Sequence, residues 1–448
     1  ILLVSKKYLR EEKFMDKMAD VLGRAGAWCG QNKYLSAIKN AFQNFMPLTI
    51  AGAIGVLWCN VLVNESTGLG IFFKPIMALE FLNPAFQAVN FCTISCITVG
   101  ITLGIAQEIG VWNMGAEKAG YIPGLVGLAA WLSVTNTSHM VEGAKEAFTG
   151  IAGNELGATG LFTGMIIGVL SVELFCFFEK QDALKIKMPE QVPPGVARAF
   201  EVLVPATITL IITACIGSAC YNLTGLYLND VIKNGIQGPL GAVGATIPGV
   251  MIIYLVIMLF WLVGIHGNNM LSAVKEALFT PLALENVEKF NKGEKPTNII
   301  NMYFLQMCGE FGGSGVTIGL VIAIMIFGKR EDNKAIATLS LVPGLFNINE
   351  TVTFGIPMVL NPILGIPFVF ACLVTILVGY VLTVIGFCPV ACLTVPWTTP
   401  PIVFGFLACG ANVMGAVTQA ILIVVSTVIY TPFLISYEKY QNKQAAEA

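Results

Sequence analysis

Long apolar runs, each about as long as a membrane-spanning helix, make up most of the chain. A helix needs about 20 consecutive apolar residues to cross the hydrocarbon core of a bilayer. Three shorter runs, 121–134, 315–327 and 336–346, are weaker candidates. The clearest candidates are 45–63, 86–106, 157–178, 200–222, 239–264, 362–387 and 412–436. Together these runs predict an all-α polytopic membrane protein with about ten transmembrane helices.

The distribution of lysine and arginine orients the first spans, because cytoplasmic loops carry an excess of both. Residues 1–41 carry eight of them and the loop 179–199 carries four. The loops 64–85, 107–120 and 135–156 carry one each. The pattern predicts a cytoplasmic N-terminus, and an even number of spans then puts the C-terminus on the same side.

A segment ahead of the first span has the spacing of an amphipathic helix. Phe14, Met18, Val21, Leu22 and Ala25 recur on one helical face, and charged residues occupy the other. We expect this segment to lie on the membrane surface or against a helix bundle.

Glycines and charges interrupt the second half of the chain. The loops 284–298 and 328–335 each carry three lysines or arginines, which predicts that both are cytoplasmic. Only about one span's worth of apolar sequence separates them. Either one loop departs from the rule, or part of 299–327 is re-entrant. The second option draws support from glycines that would break a helix there, namely Gly309, Gly312, Gly313 and Gly315.

Proline-rich and polar-interrupted stretches recur at 343–367 and 394–405. Backbone that leaves the helix at membrane depth is tolerated where it is buried in protein or lines a watery cavity. The sequence therefore predicts two parts. Residues 1–235 would hold about five ordinary spans, and residues 236–448 would hold a cavity.

Composition narrows the class of protein further. Hydrophobic residues make up 56% of the chain and charged residues 12%, against about 25% charged residues in soluble domains. These values exclude a soluble fold and a disordered chain. A net charge of −2 without a basic stretch argues against a nucleic-acid partner.

Motifs for a cofactor or a metal are missing from the sequence. It has no phosphate-binding glycine loop and no nucleotide fingerprint. Its 12 cysteines form no Cys-x-x-Cys pair. We therefore expect no cofactor and no metal, and energy for transport would come from an ion gradient or from a partner protein.

The first polar cluster surrounds His266, at the end of a long apolar span. Gly264 and Gly267 flank it closely, and such small neighbours let a ligand approach the imidazole. A polar side chain at membrane depth is costly and marks a functional site by default. The alternative is a core histidine bonded to a carbonyl group.

The second cluster places two amides and a carboxylate close together. Asn347, Asn349 and Glu350 lie among apolar, proline and glycine residues. A carboxylate accepts hydrogen bonds from hydroxyls and an amide both donates and accepts, so the cluster suits a polyol. A helix-capping turn at the water interface is the alternative.

The third cluster, Trp397 and Thr398, lies between prolines. An indole face stacks well on the C–H face of a pyranose, although a tryptophan beside a turn is also typical of the membrane interface. The sequence does not decide whether three further polar residues contact a substrate, namely Asn154, Glu155 and Glu310.

In this order the three clusters resemble enzyme IIC of the bacterial phosphoenolpyruvate-dependent sugar phosphotransferase system. The branch that they resemble is the lactose/cellobiose/diacetylchitobiose one. The similarity covers essentially the whole chain, with one departure at Thr351, where the family usually has proline. The matching segments are 46–49, 188–198, 264–267, 312–315, 347–362 and 395–398.

The resemblance implies a homodimeric, elevator-type transporter in the bacterial inner membrane. Ten spans and two re-entrant hairpins are expected in each chain. Residues 1–235 would supply the amphipathic helix and the dimer-interface helices, and residues 236–448 would form the sugar-binding transport domain.

The resemblance also implies the roles of individual residues and partners. The family's catalytic Glu and His correspond to Glu350 and His266. Asn347, Asn349, Trp397, Thr398 and Gly267 are the further sugar-site candidates from the three clusters. A β-linked disaccharide would enter from outside, and a phosphocysteine on IIB would phosphorylate its 6-hydroxyl. IIB and IIA are expected as separate proteins, so the chain would be the membrane subunit of a phosphotransferase complex.

Two other classes of protein are compatible with the sequence. An ion-coupled secondary transporter could use Glu350 as its proton site, since buried acids and broken helices suit that class equally. A channel or a sensor is the third possibility.

Overall fold

The structure is a computed structural model. It describes residues 21–28, 31–65, 70, 73–139, 148–189 and 191–447. Of the predicted amphipathic segment, residues 14–20 lie outside the described part, and residues 21–28 are helical.

The described chain is almost entirely helical, which confirms the predicted all-α class. Its one small sheet pairs Ser138–His139 with Phe148–Thr149 in antiparallel orientation. We call residues 33–235 the N-terminal region and residues 236–447 the C-terminal region.

The N-terminal region consists mostly of long helices. Two of them, α1 and α8, continue through internal prolines, Pro47 and Pro205. The α-helices of the region are α1 (Lys33–Leu57), α2 (Asn83–Asn90), α3 (Ile97–Met114), α4 (Ala116–Ala119), α5 (Ile122–Val134), α6 (Gly153–Leu156), α7 (Ala158–Glu179), α8 (Pro194–Thr224) and α9 (Leu228–Ile232). Short 3-10 helices cover Lys74–Leu82 and Asp182–Leu184, and π-helical turns cover Trp58–Leu62, Phe91–Ser95 and Lys233–Gln237.

The C-terminal region has more helices, and many of them are short. They are α10 (Gly238–Gly244), α11 (Ile247–Leu262), α12 (Gly267–Met270), α13 (Ser272–Asn291), α14 (Met302–Gly309), α15 (Ile318–Phe327), α16 (Glu331–Leu345), α17 (Glu350–Gly355), α18 (Gly365–Val384), α19 (Val403–Ala408) and α20 (Val413–Glu447). A 3-10 turn covers Ser314–Val316.

Five helices of the described chain are long and apolar enough to cross a membrane. Two bent pairs raise the number to seven if each pair counts as one span. The prediction of about ten spans therefore stays a prediction. The five are Lys33–Leu62, Ala158–Glu179, Pro194–Thr224, Gly365–Val384 and Val413–Ala446.

Two of the predicted continuous spans are broken in the structure. The run 86–106 contains a π-helical turn at Phe91–Ser95, and directly after it the segments Lys74–Ser95 and Ile97–Met114 are bent by 42°. The run 239–264 is divided between α10 and α11. Hydropathy alone hides such breaks because the residues at the break are themselves apolar or small.

The glycine-rich break predicted near residue 312 is present. The segment Met302–Val316, which holds α14 and the 3-10 turn, is bent by 59° against α15, and three glycines lie between the two helices. Gly312, Gly313 and Gly315 between them have φ angles of +69°, +88° and +76°, which favour glycine. Such a bend suits a broken span and a re-entrant loop equally, so the re-entrant hairpin stays a prediction.

Helices pack mainly within their own region. In the N-terminal region α3 packs against α1, α5 and α7, and in the C-terminal region α20 packs against α15, α18 and α19. Contact between the regions runs largely through α13, which packs on α1 and α7. The predicted loop 284–298 is helical as far as Asn291, where α13 ends.

Buried amide side chains satisfy the backbone where helices of the C-terminal region end. The Oε1 atom of Gln419 accepts from the N–H groups of Ile402 and Gly405, both at 2.7 Å. The side chain of Asn301 accepts at the start of α14 and donates to the carbonyl of Ala391 at 3.0 Å. These bonds satisfy backbone groups that a broken helix leaves without partners, so irregular backbone is tolerated away from water.

The cysteines of the described chain are all free. Cys92 and Cys215, both in the N-terminal region, are exposed. Those of the C-terminal region, by contrast, are buried, namely Cys308, Cys372, Cys388, Cys392 and Cys409.

Candidate functional site

A cavity of about 500 Å³ lies within the C-terminal region. Most of its lining residues come from breaks and helix ends between α11 and α19, and Lys275, Glu276 and Gln306 line it from within α13 and α14. They are His266, Asn268, Asn269, Ser272, Lys275, Glu276, Met302, Gln306, Glu310, Gly313, Ser314, Asn347, Ile348, Asn349, Glu350 and Trp397. The three clusters recognised in the sequence therefore meet at one space.

His266 lies in the break between α11 and α12. The backbone turns here because Gly264 has a φ of +81°. The Nδ1 atom of His266 accepts a hydrogen bond from the Asn269 N–H at 3.2 Å, which caps α12. In the neutral imidazole the proton then resides on Nε2.

Glu350 faces His266 across the cavity. It begins the short helix α17, and its Oε1 atom lies 3.9 Å from the His266 Nε2 atom. Both side chains are partly open to the cavity, with 48% and 39% of their surface exposed. A hydroxyl group placed between them could donate to the carboxylate and accept from the imidazole.

Asn347 and Asn349 line the cavity, and their amide groups are already engaged. Asn347 has a φ of +63°, accepts from the Gly312 N–H at 2.6 Å and donates to the carbonyl of Trp397 at 2.5 Å. Asn349 donates to the carbonyl of Ser314 at 2.7 Å. These amides therefore hold three broken segments together around the cavity.

Trp397 lines the cavity with an indole that is 44% exposed. Thr398 belongs to the same turn but is not among the cavity-lining residues. Gly267 is not among them either, and a Cβ atom at this position would overlap the carbonyl of Ile257. Its small size allows α12 to pack closely against the backbone of α11.

Sequence reasoning missed the charged residues Lys275 and Glu276, which line the cavity from α13. Lys275 forms an ion pair with Glu310, whose Oε1 atom also accepts from the Tyr254 hydroxyl at 2.7 Å. Glu310, whose contact with a substrate the sequence did not decide, also lines the cavity. Two adjacent charges between apolar runs were the signal that could have found this group.

Two further cavity-lining groups are acceptors without a protein partner. Within the part of the chain that the structure describes, the Oδ1 atom of Asn268 and the Oε1 atom of Gln306 are buried and make no hydrogen bond. An unpaired buried acceptor is costly, so a ligand hydroxyl that reached either atom would remove that cost.

The other two residues whose role the sequence did not decide lie in the N-terminal region, in α6. Glu155 is buried in α6 of the N-terminal region and does not line the cavity. Asn154 precedes it in the same helix. Among the described residues, no group of three His, Cys, Asp or Glu side chains could hold a metal ion.

The fold and the cavity define an integral membrane protein with a polar pocket in its broken-helix region. The chain belongs to the family "Phosphotransferase system, EIIC", whose model matches residues 39–372.

Relatives of known name support this membership. The chain is 33% identical to the oligo-beta-mannoside-specific EIIC component of Bacillus subtilis, over 96% of this chain and 94% of the relative. It is 28% identical to the cellobiose-specific EIIC component of Lactococcus lactis, over 95% of this chain and 98% of that one. The crystal structure of ChbC, the IIC component of the N,N'-diacetylchitobiose-specific system, matches with a TM-score of 0.85 and 29% identity, covering 94% of this chain and 97% of ChbC.

Proposed function

We propose that the chain is the permease component of a phosphotransferase system for a β-linked disaccharide. It binds the sugar from outside, carries it across the inner membrane and presents its 6-hydroxyl to phosphorylated IIB. The observation that carries the proposal is the Glu350–His266 pair, 3.9 Å apart in a cavity that Trp397 also lines. The specificities by which the relatives are named, for oligo-beta-mannosides, cellobiose and diacetylchitobiose, support a β-linked substrate.

The cavity suits a sugar in size and in chemistry. Its volume of about 500 Å³ falls within the usual range for small-molecule sites, about 300–1,000 Å³. The indole of Trp397 offers a face for a pyranose ring. Asn268 and Gln306 line the cavity and carry unpaired acceptors that a sugar hydroxyl could satisfy once the side chain turns toward it, and Asn347 and Asn349 keep the surrounding backbone in place.

Glu350 and His266 handle the reacting hydroxyl. The 6-oxygen of the sugar attacks the phosphorus of the IIB phosphocysteine, an O–P bond forms and the S–P bond breaks. The cysteine leaves as a thiolate, and the hydroxyl proton passes to the Glu350 carboxylate. His266 orients the hydroxyl through its Nε2–H group. The phosphoryl donor is on IIB, so this chain supplies positioning and the proton acceptor.

The two regions divide the transport work in this proposal. Residues 1–235 form the interface of a homodimer, and residues 236–448 move as an elevator that carries the sugar. Packing that is mainly internal to each region, with α13 as the principal contact between them, supports this division. IIB and IIA are separate partners, and both termini face the cytoplasm.

Membrane vesicles that contain the chain provide the test. With phosphoenolpyruvate, the general phosphotransferase proteins, IIA and IIB present, we expect phosphorylation of a β-linked disaccharide. Cellobiose, β-1,4-mannobiose and diacetylchitobiose are the sugars to compare. Unaltered phosphorylation by Glu350→Gln and His266→Ala would overturn the site assignment.

An ion-coupled transporter gives the opposite result in the same vesicles. In that case sugar would accumulate unmodified, without IIA or IIB, and an uncoupler would abolish its uptake. The feature that favours an ion-coupled transporter is Glu350, an acid at the start of a short helix.

A further inference from the structure

A second cavity of about 400 Å³ adjoins the first. Four residues line both spaces, namely Glu276, Met302, Gln306 and Trp397. The second cavity has two different walls. One wall is α1 of the N-terminal region, with Phe42, Gln43, Met46, Thr49 and Ile50, and the other belongs to the C-terminal region, with Thr280, Leu284, Tyr303 and 394–397.

We propose that the second cavity is an additional sugar subsite, which holds the third unit of a β-linked oligosaccharide. The first two units would occupy the first cavity. This inference rests on the proposed function and extends its substrate class from disaccharides to trisaccharides.

The order of the lining residues gives the direction of the oligosaccharide. Glu350 and His266 line the first cavity alone, Trp397 and Gln306 border both, and Gln43 lines the second alone. A chain of sugar units whose reacting end lies at Glu350 therefore passes Trp397 before it reaches α1.

The chemistry of the second cavity matches a pyranose, which has an apolar face and a rim of hydroxyls. Tyr303 and Thr394 form a hydroxyl pair at 2.5 Å, and Thr280 donates to the Oε2 atom of Glu276 at 2.5 Å. Gln43 is exposed and able to donate and accept. Phe42 adds an aromatic wall.

With this subsite, α1 would contact a trisaccharide but not a disaccharide. Residues of the C-terminal region alone line the first cavity, so a disaccharide contacts that region only. A third unit would contact α1 as well and would bridge the two regions. Substitutions on α1 should therefore affect trisaccharides and spare disaccharides.

Calorimetric titration of the full chain in lipid nanodiscs tests this inference. The ligands are matched pairs: cellobiose and cellotriose, β-1,4-mannobiose and mannotriose, diacetylchitobiose and triacetylchitotriose. We expect the trisaccharide of the accepted sugar to bind about fivefold more tightly, as one added net hydrogen bond provides. Gln43→Trp, which fills the second cavity, should abolish that advantage and leave disaccharide affinity within about twofold.

Gln87→Trp is the control, because Gln87 is exposed on α2 and lines neither cavity. It should preserve the advantage of the trisaccharide. Equal affinities for both lengths in the unaltered chain, or an equal loss for both in Gln43→Trp, would overturn the subsite and leave the proposed function standing. Failure of all three disaccharides to bind would overturn the proposed function itself.

Discussion

The two regions differ most in the regularity of their backbone. In the described chain, every non-glycine residue with a positive φ lies in the C-terminal region: Val316, Asn347, Leu360, Ile402 and Ala411. The N-terminal region consists mainly of long helices that pack against one another. The first cavity gathers where helices of the C-terminal region are broken, because a continuous helix uses its backbone groups internally and leaves little room between packed neighbours.

The regions also differ in how they pair a carboxylate inside the protein. Glu179 in the N-terminal region is 1% exposed and pairs with both Lys118 at 2.8 Å and Arg198 at 3.0 Å. Glu310 in the C-terminal region is partly buried, lines the cavity and, within the described residues, pairs with one cation, Lys275. The first arrangement is redundant and ties helix ends together, whereas the second leaves charge beside a binding space.

Replacing a carboxylate in each region gives the largest expected contrast. Glu350→Gln keeps the shape of the side chain but removes the proton acceptor, so the rate of sugar phosphorylation should fall about 1,000-fold. Glu108→Gln is the matched control, since Glu108 accepts from Asn40 at 2.9 Å in the N-terminal region. The vesicle assay should show less than about a threefold change for it. Similar losses for both variants would contradict the contrast.

Breaking one ion pair in each region should give the next largest effect. Lys275→Met leaves the partly buried Glu310 without this cation and should lower the free energy of unfolding by about 3 kcal/mol. Lys118→Met leaves Arg198 on Glu179 and should lower it by about 1 kcal/mol. Denaturant unfolding of the reconstituted chain measures both. The double variant Lys275→Met/Glu310→Met should recover most of the loss, and no recovery would show that the lysine acts through other contacts.

A glycine with positive φ in each region separates backbone strain from packing. Gly225, which follows α8, has a φ of +72° with open space around it, so Gly225→Ala should cost about 1 kcal/mol of unfolding free energy from strain alone. At Gly315 a Cβ atom would also overlap the ring of Phe368, and the cost should rise to about 2.5 kcal/mol. The same unfolding experiment applies. Equal costs would mean that the break between α14 and α15 is not closely packed.

Two glutamines with an unpaired acceptor should give the smallest effect. Within the described residues, the Oε1 atoms of Gln306 and Gln237 both lack a hydrogen-bond partner, but only Gln306 lines the first cavity. Gln306→Leu should weaken disaccharide binding about fivefold, through the loss of one hydrogen bond. Gln237→Leu should leave the affinity unchanged in a calorimetric titration. A comparable loss in Gln237→Leu would point to a general effect on folding.

The sequence predicted the helical class, the long spans and the glycine break near residue 312, because apolar length and glycine conformation are local properties. It also picked out His266 and Glu350 separately. Their approach to 3.9 Å could not be derived from spacing, since 84 positions separate them along the chain (350 − 266). Only the resemblance placed them in one site.

Lys275 and Glu276 escaped prediction for a related physical reason. Helix α13 mixes charged and apolar residues, so hydropathy does not distinguish it from a loop. The engagement of Asn347 and Asn349 with backbone groups was equally hidden, because an amide suited to a sugar is equally suited to a broken helix.

The distribution of free cysteines allows opening of the C-terminal region to be measured by thiol labelling of the unmodified chain. Among the described thiols those of the C-terminal region are all buried, so a maleimide dye should leave them unlabelled, whereas five thiols of the N-terminal region lie wholly or partly at the protein surface, namely Cys59, Cys92, Cys96, Cys215 and Cys220. Any sugar or partner that opens the C-terminal region should then appear as new labelling at defined positions. Movement could be followed in this way without engineering a single residue.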